Sequence, residues 1–294
     1  MLTGPADWPR IEEPELLRRL AMDDDAFLAF VLEAIGSVGP REFGDDAYTL
    51  ALGYPWPRPP SSYWLDGEDV APLTAVPELS DAGRHPLLAF GSNGAPDALI
   101  RKFAHLPPAE RRLPVLAGDL HGFDVVAAAH PTAYGSFPAT LHPSAGTILR
   151  AALLWVTPAQ LTALAWTEVS YLLGRLSGIA FEPDLPGAAP VDELLAFVSR
   201  WGAHGLDGDA AALAALPARD RSAPAYSQEE LLDRLAADAI GSTATARDLV
   251  AWIYADFPAA AAAIRPVVQP TARPFVSAHW SRLPPGGGQA EPAP

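Results

Sequence analysis

The sequence predicts an α+β fold: a curled antiparallel or mixed β-sheet in the middle of the chain, with helices before and after it. Three observations predict this. Between residues 86 and 181, short apolar or β-branched runs alternate with Gly, Pro, His and Ser, the texture of strands joined by tight connections. On either side, apolar residues recur at helical spacing instead. The chain of 294 residues is 49% apolar, with 8 Trp, 11 Phe and 7 Tyr, which is enough to bury a sizeable core.

Taken in order, "DDDAFLAFVLEAIGS" at 23–37 carries Phe27, Val31 and Ile35 on one helical face and ends at Gly36. Its opening Asp23, Asp24 and Asp25 suit the positive end of a helix dipole. "YPWPRPPSSYWL" then packs four prolines and four aromatics into 12 residues. It reads as an extended segment whose Trp56, Tyr63 and Trp64 pack on the central unit, or as a polyproline ligand for another protein. The strands follow as "PLLAF", "PVLAGDL", "FDVVAAA", "PATLH" and "TILRAALLWV". One helix interrupts this region: "TPAQLTALAWTE" has Thr157 as N-cap, Pro158 at the first helical position and Gln160 completing a capping box.

Residues 182–225 mix Pro/Gly loops with apolar runs such as "LLAFVSRW", and two helices follow, "SQEELLDRLAADAIG" and "TARDLVAWIYADF". The tail "LPPGGGQAEPAP" has nothing to bury and is expected to be disordered. The domain reading is an N-terminal extension (1–80) packing on a core (81–225), a C-terminal helical segment (226–282) and a tail (283–294).

Composition excludes several functions. A net charge of −15 without a Lys/Arg cluster argues against nucleic acid, whose binding draws on counterion release by a basic surface. A single lysine, Lys102, stands among 20 basic residues; with the many Ala and Pro this is the skew of GC-rich coding. No cysteine is present, so thiolate nucleophiles, disulfides and Cys-type metal sites are out. His121, His130 and His142 lie nine and twelve apart, which fits no usual zinc pattern. The N-terminus lacks a signal-peptide pattern and no apolar run reaches the ~18 residues of a membrane span, so no membrane is expected and a cytoplasmic location is.

Two places remain for chemistry. In "LLAFGSNGAPDALIRKF", residues 87–103, a buried strand runs into Gly-Ser-Asn-Gly and then a helix. Backbone N–H groups there either cradle a carboxylate or phosphate, or belong to a plain turn capped by Asn93 or Asp97. The second place is Glu168. Leu161, Leu164 and Glu168 stand at i, i+3 and i+7, so the carboxylate shares the leucine face. There it pairs with an arginine such as Arg175, serves as a partly desolvated general acid/base, or reaches solvent past the helix end.

The aromatic-Gly-Ser-Asn loop, the "PATL" strand, the strand "GTILRAALLWVT", and the helix P-A-Q-L-x-x-L-x-x-x-E with Tyr three residues on together resemble the gamma-glutamylcyclotransferase-like superfamily. The resemblance spans residues 86–181, about a third of the chain. It implies a small mixed or antiparallel β-barrel with helical N- and C-terminal extensions, and cleavage of a γ-glutamyl amide by its own α-amine, releasing 5-oxoproline and an amine. No metal or cofactor is implied. By position, Glu168 is the general acid/base, and Phe90, Gly91, Ser92, Asn93 and Gly94 hold the small acidic or γ-glutamyl substrate, with Tyr134 and Tyr171 beside it. The sequence departs from the family at Phe90, where Tyr is usual, at Gly94, where Leu is usual, and at Val169, where Gly often follows the glutamate. The long flanks would cap the pocket, build a homodimer or select the substrate. The competing reading is a non-catalytic module that binds an acidic molecule or a partner protein on the same cradle; a third is a scaffold that uses the proline/aromatic segment.

Overall fold

A computed structural model describes residues 13–37, 39–77, 83–168 and 170–283; the tail expected to be disordered lies, but for Leu283, outside them. The elements in chain order are α1 (Pro14–Ala21), α2 (Asp24–Gly36), α3 (Asp45–Leu52), β1 (Tyr63–Asp66), β2 (Asp69–Pro72), β3 (His85–Ala89), α4 (Pro96–Phe103), β4 (Leu113–Ala127), β5 (Ala139–Val156), α5 (Pro158–Thr167), β6 (Tyr171–Pro183), β7 (Val191–Ser199), α6 (Gln228–Ala239), α7 (Ala246–Ala255) and α8 (Phe257–Val268).

Five strands close on themselves. β4 pairs with β5, β5 with β3, β3 with β7, β7 with β6, and β6 back to β4. Only the β3–β7 contact is parallel; the others are antiparallel. The result is an α+β fold built on a mixed five-stranded barrel, a closure that removes the sheet edges which would otherwise invite pairing with another chain. β3 sits between two neighbours and every one of its residues is buried, as its unbroken apolar run foretells.

Two strand pairs read from sequence are single long strands. "PVLAGDL" and "FDVVAAA" form β4, and "PATLH" and "TILRAALLWV" form β5. Their ladder absorbs the polar interruption as a bulge between His121 and Phe123, where Gly122 takes φ +80, a conformation cheap only for glycine. β6 closes the strand-rich region, and the apolar run "LLAFVSRW" supplies most of β7. The second C-terminal helix forms as α7, and a third that the sequence reading did not name, α8, follows directly: Asp256, whose φ of −153 leaves α7, caps it through the Ala259 N–H.

The alternating faces of the strands feed two cores. Leu88, Leu116, Leu153, Leu194 and Leu176 join Leu232, Leu249 and Ile264 from α6–α8. Leu87, Val115, Leu154 and Leu195 join Leu99 and Phe103 of α4, Leu161 and Leu164 of α5, and Leu16 of α1. The N-terminal segment packs on this frame. β1 extends the sheet at β4, Ser62 Oγ accepts the Ala117 N–H at 3.0 Å, and Tyr54 enters the first core. No helix among the described residues is long and apolar enough to cross a membrane, and no cluster of His, Cys, Asp or Glu among them could hold a metal ion.

His204 gives the fold a pH dependence. It is 7% exposed and stacked on Phe137 at 5.1 Å, and burial lowers its pKa from 6.5 to about 4. An imidazole that binds its proton more weakly when folded leaves stability intact above pH 6.5 and removes it as pH falls towards 4. The loss by pH 5 is expected to be about 2 kcal/mol. Thermal unfolding at pH 7 and pH 5 checks this: His204→Gln should lose less stability across that interval than the unmutated protein.

Candidate active site

The strand-end loop is fixed from outside. After β3, Phe90 is buried and residues Ser92–Gly94 make one 3-10 turn. Arg58, from the proline/aromatic segment, donates to the Phe90 and Gly91 carbonyls, each at 3.2 Å, and Tyr63 donates to Gly94 O at 3.2 Å. Gly91 is required by close approach, since a Cβ there would lie 2.7 Å from Tyr54 Oη. That hydroxyl accepts the Ala139 N–H at 2.9 Å, while Tyr171 Oη donates to Ala139 O at 2.8 Å. Two tyrosines thus pin one residue of β5 beside the loop.

Helix α5 delivers the carboxylate. Its capping box, Thr157 with Gln160, forms as the sequence dictates, and its last turn ends at Glu168, whose N–H donates to Leu164 O at 3.0 Å. Leu161 and Leu164 are buried, so the shared face carries Glu168 inward. Its partner is Lys102 rather than Arg175, which lies 3.6 Å from Glu193. Lys102 Nζ stands 2.7 Å from Glu168 Oε1 and 2.6 Å from Asn93 Oδ1; Asn93 Nδ2 donates to the same Glu168 Oε1 at 3.1 Å. The side chains of Lys102 and Glu168 are only 15% and 13% exposed, so each offsets the other's desolvation. Both contacts fall on Oε1, which leaves Oε2 without a protein donor among the described residues.

Two cavities meet at this carboxylate. A small one of about 30 Å³ is lined by Phe90, Gly91, Ser92, Asn93, Tyr171 and Glu168. A larger one of about 370 Å³ is lined by Ser92, Arg101, Lys102, Tyr134, Glu168 and Tyr171, and by residues of α2 and α8. Its volume lies in the usual range of small-molecule sites. Of the five loop residues singled out from sequence, only Ser92 lines the large cavity; Phe90, Gly91 and Asn93 face the small one with it, and Gly94 lines neither. The cradle is also narrower than the sequence suggests. The Gly94 and Ala95 N–H groups close the turn on the Gly91 and Ser92 carbonyls, so the Gly94 N–H is taken from it. Val169 lies outside the described residues.

The tyrosines of the aromatic wall are uncharged. Burial pushes the Tyr134 hydroxyl up to about 12 and raises that of Tyr171 well above its ordinary value, so both stay neutral at working pH. Tyr134 packs on Trp56 at 5.7 Å, and the Arg101 guanidinium lies 5.4 Å from the Trp56 ring centre. Sequence reasoning missed Lys102, Arg58 and Arg101. The signal for Lys102 was present: the chain's single lysine stands one helical turn after Ala98 on the helix that the loop opens, and both residues line the large cavity.

No family model and no curated protein matches the chain. Solved structures similar to it include a protein of Arabidopsis thaliana (17% identity, TM-score 0.31, covering 41% of this chain and 71% of that one) and an uncharacterized human protein (15% identity, TM-score 0.28, covering 40% and 66%). A gamma-glutamyl cyclotransferase is similar at 14% identity and a TM-score of 0.27, again covering 40% of this chain and 66% of that one.

Proposed function

We propose that the protein cleaves a γ-glutamyl amide by intramolecular attack of the substrate's α-amine, releasing 5-oxoproline and an amine. The observation that carries this reading is the meeting of Glu168 with the strand-end loop, Asn93 Nδ2 to Glu168 Oε1 at 3.1 Å, at the edge of a cavity of about 370 Å³. The aromatic-Gly-Ser-Asn loop and the helix-end glutamate, residues that resemble the gamma-glutamylcyclotransferase-like superfamily, support it.

In this reading the neutral α-amine attacks the γ-carbonyl carbon. As the ring C–N bond forms, Glu168 Oε2 takes a proton from that nitrogen. As the amide C–N bond breaks, the same oxygen passes the proton to the leaving nitrogen, so the carboxylate ends the turnover as it began. Lys102 and Asn93 hold Oε1 and so aim Oε2. The N–H group of Ser92, the loop residue that lines the large cavity, meets the negative charge that develops on the carbonyl oxygen, and Arg101 pairs with the substrate's α-carboxylate. The glutamyl head occupies the part of the large cavity nearest Ser92.

Incubating the full chain with γ-glutamyl amides and assaying 5-oxoproline tests the reading. Release from at least one amide is expected. Binding of such amides, seen as thermal stabilisation, without any release would instead favour the non-catalytic module.

A further inference from the structure

α2 presents a stripe of aliphatic side chains to empty space. Phe27 anchors the helix: it is fully buried, with the Arg200 guanidinium 4.5 Å from its ring centre and Trp201 at 5.9 Å. Leu28, Val31, Leu32 and Ile35, at i, i+3, i+4 and i+7, line the large cavity and join none of the packed cores. Such a stripe ordinarily packs against a neighbour. The neighbour here is α8, which lines the same cavity with Phe257, Ala261, Ile264 and Val268.

The space between them is held open at both ends of α2. Arg200 bonds Met22 O at 2.9 Å and Arg265 bonds Asp25 at 2.9 Å. At the other end, a Cβ on Gly36 would lie 3.1 Å from Pro258 Cγ, so the two helices touch there. Arg265 is the one ionisable residue these two helices give the cavity, and it is paired with Asp25. His130, a further wall residue, is held neutral by burial, its pKa lowered to about 3. Apart from the Arg265–Asp25 pair, the cavity's charge lies on the wall made by Arg101, Lys102 and Glu168.

We propose that this apolar wall receives the leaving group, so that the substrate class is the γ-glutamyl amide of an uncharged alkyl or aryl amine rather than of an amino acid. The inference rests on the cyclotransferase reading above. The cavity suits the division: one of about 150 Å³ lined by aliphatic side chains holds a benzene ring, and about 370 Å³ leaves room for a head group beside such a ring. A leaving amino acid would bring a carboxylate against the α2 and α8 wall, whose single cation already has its counter-ion.

The test compares kcat/KM for 5-oxoproline release by the full chain across γ-glutamyl methylamide, butylamide, hexylamide and benzylamide, with γ-glutamyl-alanine as the charged counterpart. Each added methylene is expected to raise kcat/KM roughly two- to fourfold, the worth of its burial, and γ-glutamyl-alanine should fall below butylamide. Val31→Asn and, separately, Ile264→Ala should flatten the dependence on chain length. A flat or falling series in the unmutated protein, or a preference for γ-glutamyl-alanine, overturns the inference while the cyclotransferase reading stands. Absence of 5-oxoproline from every amide overturns the reading beneath it, and the inference with it.

Discussion

Replacing Glu168 by Gln is expected to lower kcat by about 10²–10⁴-fold with little change in KM, the usual worth of a general acid/base. The substitution isolates the proton. Gln keeps the shape of the side chain and an oxygen that can still accept from Lys102 Nζ and Asn93 Nδ2, the two groups now bound to Oε1. It cannot take a proton from the attacking amine and return it to the leaving nitrogen. A carboxylate that merely shaped the cavity would be replaced with a small effect on kcat and a larger one on KM. Steady-state kinetics on a confirmed γ-glutamyl amide separates the two outcomes, and near-normal kcat in Glu168→Gln would remove the mechanism.

Replacing Lys102 by Met is expected to destabilise the protein by about 2–4 kcal/mol, between the worth of an exposed and a fully buried ion pair. The loss comes from the partner left behind. Glu168, 13% exposed and 2.7 Å from Nζ, would keep its charge in a poorly solvated position, and Asn93 would lose the donor at 2.6 Å that fixes its amide. The charge argument has a direct check in the double variant. Lys102→Met with Glu168→Gln leaves no unpaired charge, so it should be more stable in urea than Lys102→Met alone. If the double variant is less stable than either single one, packing rather than charge holds this corner of the site together. Lys102→Arg, which keeps the charge, should recover part of the stability lost in Lys102→Met.

Features whose partners lie within a few residues were legible in the sequence. Thr157 and Gln160 sit three residues apart, so the capping box of α5 is written locally; Asp23, three residues before the N–H it accepts, starts α2 in the same way. The placement of Glu168 on the leucine face also follows from helical period alone. What escaped reading depends on distant partners. β6 is interrupted by Gly174 and Gly178, which weaken a strand pattern, and only the structure shows that Gly174 leaves room for the Trp280 ring. The bulge at Gly122 joins two apparent strands because β5 pairs with both sides of it, from Ile148 opposite His121 to Pro143 opposite Phe123.

The site divides along the same line. The loop and the glutamate lie within a recognisable order of short motifs, whereas Lys102 meets Glu168 across 66 residues and Arg58 reaches the loop across 32 and 33. No spacing rule connects such pairs. Local hydrogen bonding narrows one expectation. The loop resembles a backbone cradle, yet the Gly94 and Ala95 N–H groups are used to close its turn, and Phe90 is packed away from the large cavity. A residue type that could display donors was used in part to fix the loop's own shape. The aliphatic stripe of α2 was visible as periodicity, but periodicity alone reads as core; that Leu28, Val31, Leu32 and Ile35 face a cavity is set by how α8 and Arg200 hold the helix.

The central claim is that the substrate's own amine, and not water, attacks the amide carbon beside Glu168. The most direct measurement is the mass of the product formed from a γ-glutamyl alkylamide in H₂¹⁸O. Attack by the α-amine predicts 5-oxoproline carrying no ¹⁸O, since no water oxygen enters the acyl group. Glutamate carrying one ¹⁸O in its γ-carboxylate would contradict the account and make the protein an amide hydrolase.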